Sequence, residues 1–449
     1  MRQPSVTDHD AEGYAAAWSA SGMAWLTGRP DGPGLGGPPA LIEAVGAWSE
    51  ELAVSTSALG RSVVVDPLAL LAERAAVTGL TRGGQVSCGG GSRLLPCTDG
   101  WVAASLSRAS DWELVPAWLG LPGPVAEGGW ADVAGAVAAL PADEARARAE
   151  LVGLPVAVLG ERTSDGAPVG ASVGAPEPPH RPETAAGVPA IGGIRARRAR
   201  PADAVTTCAD LVVVELASLW AGPLVGRLLA RAGARVVKVE STGRPDGARY
   251  GSPLFFERVN GGKESVSIDF TSAAGRRQLA TVLAAADVVV TGSRPRALEQ
   301  VGLDVEALVR NGRPRVWLSI TGYGAAGASG RRVAFGDDAA VAGGLVAADG
   351  HGPCFCGDAI ADPLSGLAST VAVLGALMSD GAWVIDSSMA DIAGALAGPT
   401  VPLEGPPGPP PDPGTDPVAG PDPVPSARER GADTAAVLAG LAGLAGLAN

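Results

Sequence analysis

LVVVELASLWAGPLVGRLLARAGARVVKVE, residues 211–240, has the pattern of a strand, a helix and a second strand. Each end is a short run rich in valine, which is typical of a buried strand. Between them, apolar residues recur at helical spacing as far as Gly233, and glycine commonly follows the last turn of a helix. Two strands joined by a helical crossover pair in parallel, so this segment predicts a parallel sheet.

The alternation of strand-like and helix-like segments continues along the chain. DVVVT at 287–291 and RVWLSI at 315–320 read as further strands, with amphipathic segments between them. Parallel strands covered by helices on both faces define an α/β fold. We therefore predict a Rossmann-like large domain, with a mostly parallel sheet, over residues 205–398.

A dinucleotide-binding site is an alternative interpretation of residues 211–240. Gly222 and Gly226 open a helix after a strand, and Glu240 ends the next strand, as in folds whose acidic residue binds a ribose. However, AGPLVG lacks the G-x-G-x-x-G spacing, and a proline occupies the turn where the backbone should approach a pyrophosphate. This departure makes an NAD-dependent enzyme the weaker interpretation.

The flanking regions predict four further units. A glycine cluster, a strand-like DGWVAASLS and helical patterns over residues 83–162 indicate a smaller α+β domain. Residues 163–204 begin with a segment rich in Gly, Pro and Ser and are interpreted as a linker. Residues 399–449 form a Pro-rich low-complexity tail, which we expect to be disordered or weakly helical.

Residues 14–82, the fourth unit, resemble a diverged copy of a later part of the same chain. An offset of 320 residues places WVIDSSMADIAGA over VVVDPLALLAERA, so that Asp386 lies over Asp66. In this comparison Ile42 occupies the position of Asp362. Any chemistry performed by Asp362 should therefore be absent from the first copy.

Composition and charge exclude several classes of function. The chain has 449 residues and a formal net charge of −13, which provides no basic surface for nucleic acid or an anionic membrane. Its five cysteines lack zinc-site spacing and are too few and too scattered for a disulfide framework. No signal peptide or membrane span is predicted, so a cytoplasmic protein without a bound metal is expected.

Five motifs occur in an order that resembles the class III CoA-transferases. They are VVELASLWAGPLVGRLLARAGARVVKVE, NGGKESVSIDF, ADVVVTGSRP, SITGYG and ADPLSGL. That family includes formyl-CoA and carnitine CoA-transferases, and the α-methylacyl-CoA racemases are related to it. The resemblance covers residues 205–398, and each motif is weak alone.

The N-terminal half resembles the same family in a different order. Residues 83–162 are similar to the small domain that family members carry after the large-domain half. The chain thus resembles the end of one unit fused to the beginning of another, without a clear C-terminal segment that returns to the large domain. The resemblance implies an interlocked homodimer, or a heteromer with a homologous subunit.

The resemblance also implies a chemistry. An aspartate attacks an acyl-CoA thioester, and coenzyme A passes to a carboxylic acid through aspartyl anhydride and aspartyl thioester intermediates. Asp362 matches the position of this nucleophile, although a carboxylate at the start of a helix is commonly only a cap. Gly89, Gly90 and Gly91 match a glycine loop that closes over the intermediates in relatives.

Further positions match family contacts to coenzyme A, which here is a substrate thioester. They are Leu219, Ile268, Gly292, Ser293, Arg294, Ala297 and Tyr323. Several basic contacts of relatives are missing, and the candidates to replace them at the phosphates are Arg294, Arg296, Arg249 and Lys263. Each could equally be a solvated surface charge, and a ligand role is preferred only for Arg294.

Two alternatives remain beside the transferase. Racemases of the family use an aspartate together with a histidine in a Gly-His-Asp run, but here the run reads Phe335-Gly336-Asp337-Asp338, and Asp337 replaces the histidine. A second carboxylate with a raised pKa could serve as that base. The permuted order also permits a non-catalytic subunit that binds CoA esters and needs a homologous partner.

Overall fold

The computed structural model of the chain describes residues 8–162, 187–404, 407–419 and 425–445. Within these residues the strands are β1 Val64–Val65, β2 Ser92–Pro96, β3 Trp101–Ser105, β4 Val156–Val158, β5 Ile194–Arg200, β6 Val212–Leu216, β7 Arg235–Ser241, β8 Glu264–Ile268, β9 Val288–Thr291, β10 Val316–Thr321, β11 Val346–Asp349, β12 Gly352–Phe355, β13 Ala382–Ser388 and β14 Val418–Ala419. The α-helices are α1 Asp8–Ala20, α2 Met23–Leu26, α3 Pro39–Ala58, α4 Pro67–Thr78, α5 Ala109–Leu119, α6 Trp130–Val137, α7 Ala142–Val152, α8 Ala221–Arg231, α9 Pro253–Asn260, α10 Ala273–Ala284, α11 Pro295–Gln300, α12 Val305–Asn311, α13 Gly336–Ala342, α14 Ala361–Met378, α15 Met389–Leu396 and α16 Thr434–Ala445.

The predicted large sheet is present. Seven strands follow the order β5-β13-β10-β9-β6-β7-β8, in which all neighbours are parallel except the edge strand β5. Alternate residues of each strand face opposite layers: Val213 packs with α8 and α14, whereas Val214 packs with α10 and α16. Helices therefore cover both faces, which confirms the α/β class.

Helix α14 forms the centre of the first helical layer. It packs against α8, α3, α15 and the sheet. A Cβ added at Gly366 would lie 2.7 Å from Leu224 Cδ2 and 2.9 Å from the Ala221 carbonyl oxygen, so glycine permits the close approach of α8. Among the described residues α14 alone is long and apolar enough to cross a membrane, and 83% of it is buried inside the molecule.

The smaller domain has an α+β architecture, as predicted. Strands β2, β3 and β4 form an antiparallel sheet, and α5, α6 and α7 cover one face of it. Trp112 and Trp118 lie in its core and donate hydrogen bonds to backbone carbonyl oxygens. The other face packs on α13, so the two domains meet within one chain.

A helix–strand–helix pattern near the N-terminus recurs 320 residues later in the chain. α3, β1 and α4 correspond in order to α14, β13 and α15. The two strands nevertheless have different surroundings, because β13 lies inside the large sheet whereas β1 pairs only with β14 among the described residues. α3 packs directly against α14.

Part of the predicted linker belongs to the large sheet. Residues 163–186 lie outside the described residues, but residues 194–200 form the antiparallel edge strand β5. Ile194 and Ala196 are buried, while Arg197 and Arg198 are exposed. The sequence IRARRAR is more polar than a buried strand. It can form a strand here because an edge position leaves much of it in water.

The C-terminal tail also differs from the expectation. Its described parts pack on the rest of the chain: β14 pairs with β1, and α16 packs on α10 and β8. Asp433 and Thr434 accept hydrogen bonds from the backbone N–H groups of Ser265 and Ser267. A segment that sequence analysis did not find thus returns to the large domain.

Candidate active site

The order of the large sheet creates a crevice between β6 and β9. The chain runs from β6 through β7 to β8 on one side and from β9 to β10 on the other, so the connections after β6 and β9 diverge. Ligands of open parallel sheets bind at such a point, beside the carboxyl ends of the strands. Leu219 follows β6, and Gly292, Ser293 and Arg294 follow β9, which places four predicted coenzyme A contacts around this crevice.

Asp362 lies in the first turn of α14 and does not cap it. The N-cap position of this helix is Ile360, which makes no side-chain capping bond. The half-buried carboxylate instead accepts a hydrogen bond from the backbone N–H of Ala221, at the start of α8. A Cβ at Gly336 would lie 2.3 Å from Asp362 Oδ2, so glycine provides the space for this side chain.

The pKa of Asp362 is strongly perturbed by its surroundings. Burial raises it from 3.8 to about 7, Arg74 opposes the rise, and Asp337 adds to it. Removing a carboxylate from water disfavours its charged form, while a nearby cation favours that form. The group therefore titrates close to neutral pH, as is common for catalytic acids and bases.

Arg74 brings a cation from the N-terminal segment into this site. Its Nε donates to Asp358 Oδ2 at 2.7 Å, and its Nη2 donates to Asp358 Oδ1. Asp358 is completely buried, four residues before Asp362. Arg74 also lies over the ring of Trp220, 5.8 Å from its centroid. Neither Arg74 nor Asp358 lies in a sequence motif that marks it as a site residue.

Two further carboxylates connect the site to the smaller domain. Ser92 Oγ donates to Asp337 Oδ2 at 3.0 Å, and Ser105 Oγ donates to Asp338 Oδ1 at 2.8 Å. Burial raises the pKa of both acids, to about 7 for Asp338. The backbone N–H of Ala359 donates to Asp337 Oδ1, which ties Asp337 to the turn that precedes α14.

The glycine loop lies beside the same cluster. A Cβ at Gly89 would lie 3.3 Å from Arg74 Nη2, and Gly90, at φ 77°, has open space around it. Gly91 packs against Ser107. The predicted loop and the predicted nucleophile are therefore brought together through Arg74, although the sequence separates them by more than 250 residues.

The residues predicted to contact coenzyme A differ in their exposure, and therefore in whether a ligand can reach them. Leu219 is exposed and has a positive φ, while its N–H donates to Asp246. Arg294 and Ala297 are exposed at α11. Ile268 is buried in β8, two strands from the crevice, so its side chain contributes to the core. Tyr323 is also buried, beneath the guanidinium of Arg332 at 3.5 Å.

Two of the cations suggested for the phosphates are committed elsewhere. Lys263 is buried, and its Nζ donates to Glu215 Oε2 at 2.7 Å and to the carbonyl oxygen of Pro223. Arg249 pairs with Glu240. These contacts hold both side chains against the protein, so the arrangement does not favour Lys263 or Arg249 among the candidates for a phosphate contact.

No metal cluster accompanies these carboxylates in the part of the chain that the structure describes. All five cysteines lie in that part, and each is a free thiol. Cys88, at the start of the glycine loop, donates to the carbonyl oxygen of Gly357 at 3.4 Å. Burial and the neighbouring carboxylates raise its pKa well above 9, so it is a neutral thiol.

Residues 208–421 match the model of a protein family described as CoA-transferase family III. This part of the chain, slightly less than half of it, is similar to CoA-transferase family III. The match contains the whole parallel part of the large sheet, the crevice and Asp362. It ends beyond β14, and therefore includes part of the C-terminal segment that packs on the N-terminal region.

Individual relatives match a limited part of the chain. The succinyl-CoA–D-citramalate CoA-transferase of Chloroflexus aurantiacus is 32% identical over 180 residues, which cover 38% of this chain and 44% of that protein. The succinate–glutarate CoA-transferase of Agrobacterium fabrum is 29% identical over 204 residues, which cover 41% and 51%. A solved CAIB/BAIF family protein from Brucella suis is 32% identical, covers 42% and 55%, and has a TM-score of 0.39. The chain thus spans about half the length of these relatives.

Proposed function

We propose that this chain transfers coenzyme A between an acyl-CoA thioester and a carboxylic acid, with Asp362 as the nucleophile. The observation that carries the proposal is the position of the Asp362 carboxylate. It makes no capping bond to its own helix, accepts a hydrogen bond from the first N–H of α8, lies against Gly336 and is acted on by the charge of Arg74. The match of residues 208–421 to the family model and the named activities of the relatives support the same reaction class.

The proposed reaction proceeds through three covalent intermediates, which are a mixed anhydride, an aspartyl-CoA thioester and a second anhydride. The Asp362 carboxylate attacks the thioester carbonyl, forms a mixed anhydride and releases the CoA thiolate. The thiolate then attacks the aspartyl carbonyl, which releases the first acid and leaves an aspartyl-CoA thioester. The acceptor carboxylate attacks this thioester to form a second anhydride, and the thiolate attacks its acyl carbonyl to give the new acyl-CoA and free Asp362.

The carboxylate must be ionised for the first attack. Because the pKa of Asp362 is about 7, the nucleophilic form becomes dominant only above neutral pH. Burial that raises this pKa also strips water from the carboxylate oxygens, which removes hydrogen bonds that would lower their reactivity. We expect the rate of the first step to rise with pH through about 7 and to level off above it.

We propose that coenzyme A lies along the crevice after β6 and β9. Leu219, Gly292 and Ser293 border it, and Arg294 supplies a cation that makes no ion pair with an acid among the described residues. Arginine is suited to bidentate contact with phosphate. Ile268 and Tyr323 are buried, so they support this edge of the sheet by packing. Ile268 packs within the core at β8, and Tyr323 packs against Arg332.

Trapping of the covalent intermediate tests the proposal. The purified chain is incubated with a panel of acyl-CoA thioesters, and the adduct is captured with hydroxylamine as a hydroxamate or reduced with borohydride. We expect an adduct with at least one member of the panel in wild type and in Asp349→Asn, a surface variant of the β11–β12 hairpin. Loss of the adduct in Asp362→Asn alone supports the assignment, and an undiminished adduct in that variant refutes it.

Proton exchange at the α-carbon is a second candidate function. The observation that favours it is a second half-buried carboxylate, Asp337, whose pKa is raised by burial and by Asp358. Two such groups on opposite sides of an acyl chain can remove and return a proton. Incubation of a 2-methylacyl-CoA in deuterated water without an acceptor acid distinguishes the two functions, because only the exchange reaction incorporates deuterium.

We propose that the chain is catalytic without a second kind of subunit, as a homodimer, and that a heteromer with a homologous subunit is the alternative. Support comes from the glycine loop of the smaller domain, Arg74 of the N-terminal segment and Asp362 of the large domain, which lie together in one chain. A non-catalytic subunit would need a partner before any adduct formed. Adduct formation by the purified chain alone therefore excludes that alternative.

A further inference from the structure

We propose that Arg74 is the positioning residue of the active site, whose guanidinium fixes Asp358 and sets the charge state of Asp362. The inference rests on the proposed function, because it assigns a role in the ionisation of the proposed nucleophile. Arg74 belongs to α4, in the segment that resembles a diverged copy, and this segment carries no counterpart of Asp362 at Ile42. The first copy thus contributes a cation to the site but no nucleophile.

The geometry of the pair is that of a fixed, partly shielded ion pair. Two nitrogens of Arg74 engage both oxygens of Asp358, whose side chain is completely buried, while 29% of the Arg74 side chain is exposed. A bidentate pair of this kind holds both partners in one orientation. Arg74 Nη2, which bonds to Asp358, also lies beside the glycine loop, 3.3 Å from the place that a Cβ on Gly89 would occupy.

The neighbouring residue of α4 anchors the helix to α8. Glu73 is buried, and it accepts hydrogen bonds from Trp220 Nε1 at 3.2 Å and from Arg227 Nη1 at 2.7 Å. Trp220 immediately precedes Ala221, whose N–H bonds to Asp362, and its ring lies under Arg74. α4 therefore positions both the cation and the hydrogen-bond donor that act on the nucleophile.

The charges around Asp362 come from each element that surrounds it. Asp358 lies in the turn before α14, Asp337 lies on α13, and Arg74 lies on α4, while α8 contributes the N–H of Ala221. Cys88 of the glycine loop also faces Asp358, Asp337 and Arg74, but as a neutral thiol. Arg74 is thus the one cation acting on three carboxylates within the described residues.

Removal of the Arg74 charge and removal of the Asp358 charge should move the pKa of Asp362 in opposite directions. Removal of the Arg74 charge leaves Asp362 among uncompensated carboxylates, which raises its pKa. Removal of the Asp358 charge leaves the cation unopposed, which lowers the pKa of Asp362. A role for Arg74 in folding alone predicts no movement of this pKa in either direction.

The test is the pH dependence of the rate at which the adduct is trapped. In Arg74→Met, which keeps the length of the stem, we expect the rising limb to move to higher pH by about one unit or more. In Asp358→Asn we expect it to move to lower pH, and this variant retains a near-isosteric side chain if Arg74→Met fails to fold. Arg74→Lys should fall between wild type and Arg74→Met, because it keeps the charge without the bidentate contact.

Arg82→Met is the matched control. Arg82 also lies over a tryptophan, 5.8 Å from the Trp25 ring centroid, but it donates hydrogen bonds to backbone carbonyl oxygens and not to a carboxylate among the described residues. We expect it to change stability and leave the pH profile in place. Profiles of Arg74→Met and Asp358→Asn that superimpose on wild type would overturn the inference.

A readout without activity separates this inference from the proposed function. If wild type forms no adduct with any acyl-CoA, the proposed function fails, but the influence of Arg74 on Asp362 remains measurable through stability. Asp362→Asn should raise the midpoint of thermal unfolding at pH 8 more strongly in an Arg74→Met background than in wild type, because the carboxylate is costlier to ionise there. Equal increases in the two backgrounds would reject the role of Arg74 independently.

Discussion

Asp362→Asn should stabilise the protein at alkaline pH while it abolishes adduct formation. A raised pKa means that the folded state holds the proton of Asp362 more tightly than the unfolded chain does. Stability is therefore lost as the pH rises from the ordinary value of 3.8 through about 7, and the full cost is present above it. Asparagine keeps the size of the side chain and its acceptor for the N–H of Ala221, but it has no charge to desolvate.

The magnitude follows from the pKa shift. A shift of about three units corresponds to about 4 kcal/mol at about 1.4 kcal/mol per unit, which is an upper limit for a fully desolvated group. Asp362 is half-buried and keeps some contact with water, so we expect about 2 kcal/mol. For a domain of this size that corresponds to an increase of roughly 4–8 °C in the midpoint of thermal unfolding.

The assay is thermal unfolding of both proteins at a series of pH values from 4 to 9. The difference between them should be near zero at pH 4, grow through pH 7 and remain constant above it. Asp349→Asn is a control of opposite sign, because the N–H of His351 and the guanidinium of Arg29 outweigh burial and lower the pKa of Asp349. A pH-independent difference, or a less stable Asp362→Asn at pH 8, would refute the electrostatic reasoning.

Three further predictions concern the same structure. Arg294→Ala should raise KM for the acyl-CoA about tenfold with little change in kcat, whereas Arg310→Ala, on the outer face of α12, should change neither; equal effects would exclude a phosphate contact. Gly336→Ala should reduce the trapped adduct at least tenfold, because its Cβ would lie 2.3 Å from Asp362 Oδ2; a full rate would show that the site tolerates the methyl group. Lys263→Met should destabilise the chain by about 3 kcal/mol, since it leaves a buried carboxylate short of one cation; an unchanged unfolding midpoint would contradict this.

The large sheet could be predicted because its signals are local. The valine runs of β6, β7 and β9 are buried on both faces, and the glycine after α8 marks the helix end within a few residues. Strand β5 was missed because an edge strand can carry arginines along its exposed positions. Helix α16 was expected to be at most weakly helical because its alternation of Leu, Ala and Gly carries no amphipathic signal, and its packing on α10 and β8 could not be predicted.

The site could be predicted only in part, because its contacts are distant in sequence. Asp362 and the glycine loop followed from motif order, but the Arg74–Asp358 pair joins residues 284 positions apart and has no sequence signal of its own. Lys263 shows the same limit. The sequence left it as a candidate for a phosphate contact, whereas the fold places Glu215, 48 positions away, against its ammonium group.

The central claim is that Asp362 becomes covalently acylated during the transfer of coenzyme A. The most direct measurement is peptide mapping by mass spectrometry after the purified chain has reacted with an acyl-CoA and has been reduced with borohydride. The account predicts that the peptide containing residues 361–367 carries the reduced residue, a homoserine at position 362, and that no other acidic residue is modified. Modification of Asp337 or Asp358 in place of Asp362, in a chain that forms the adduct, would contradict it.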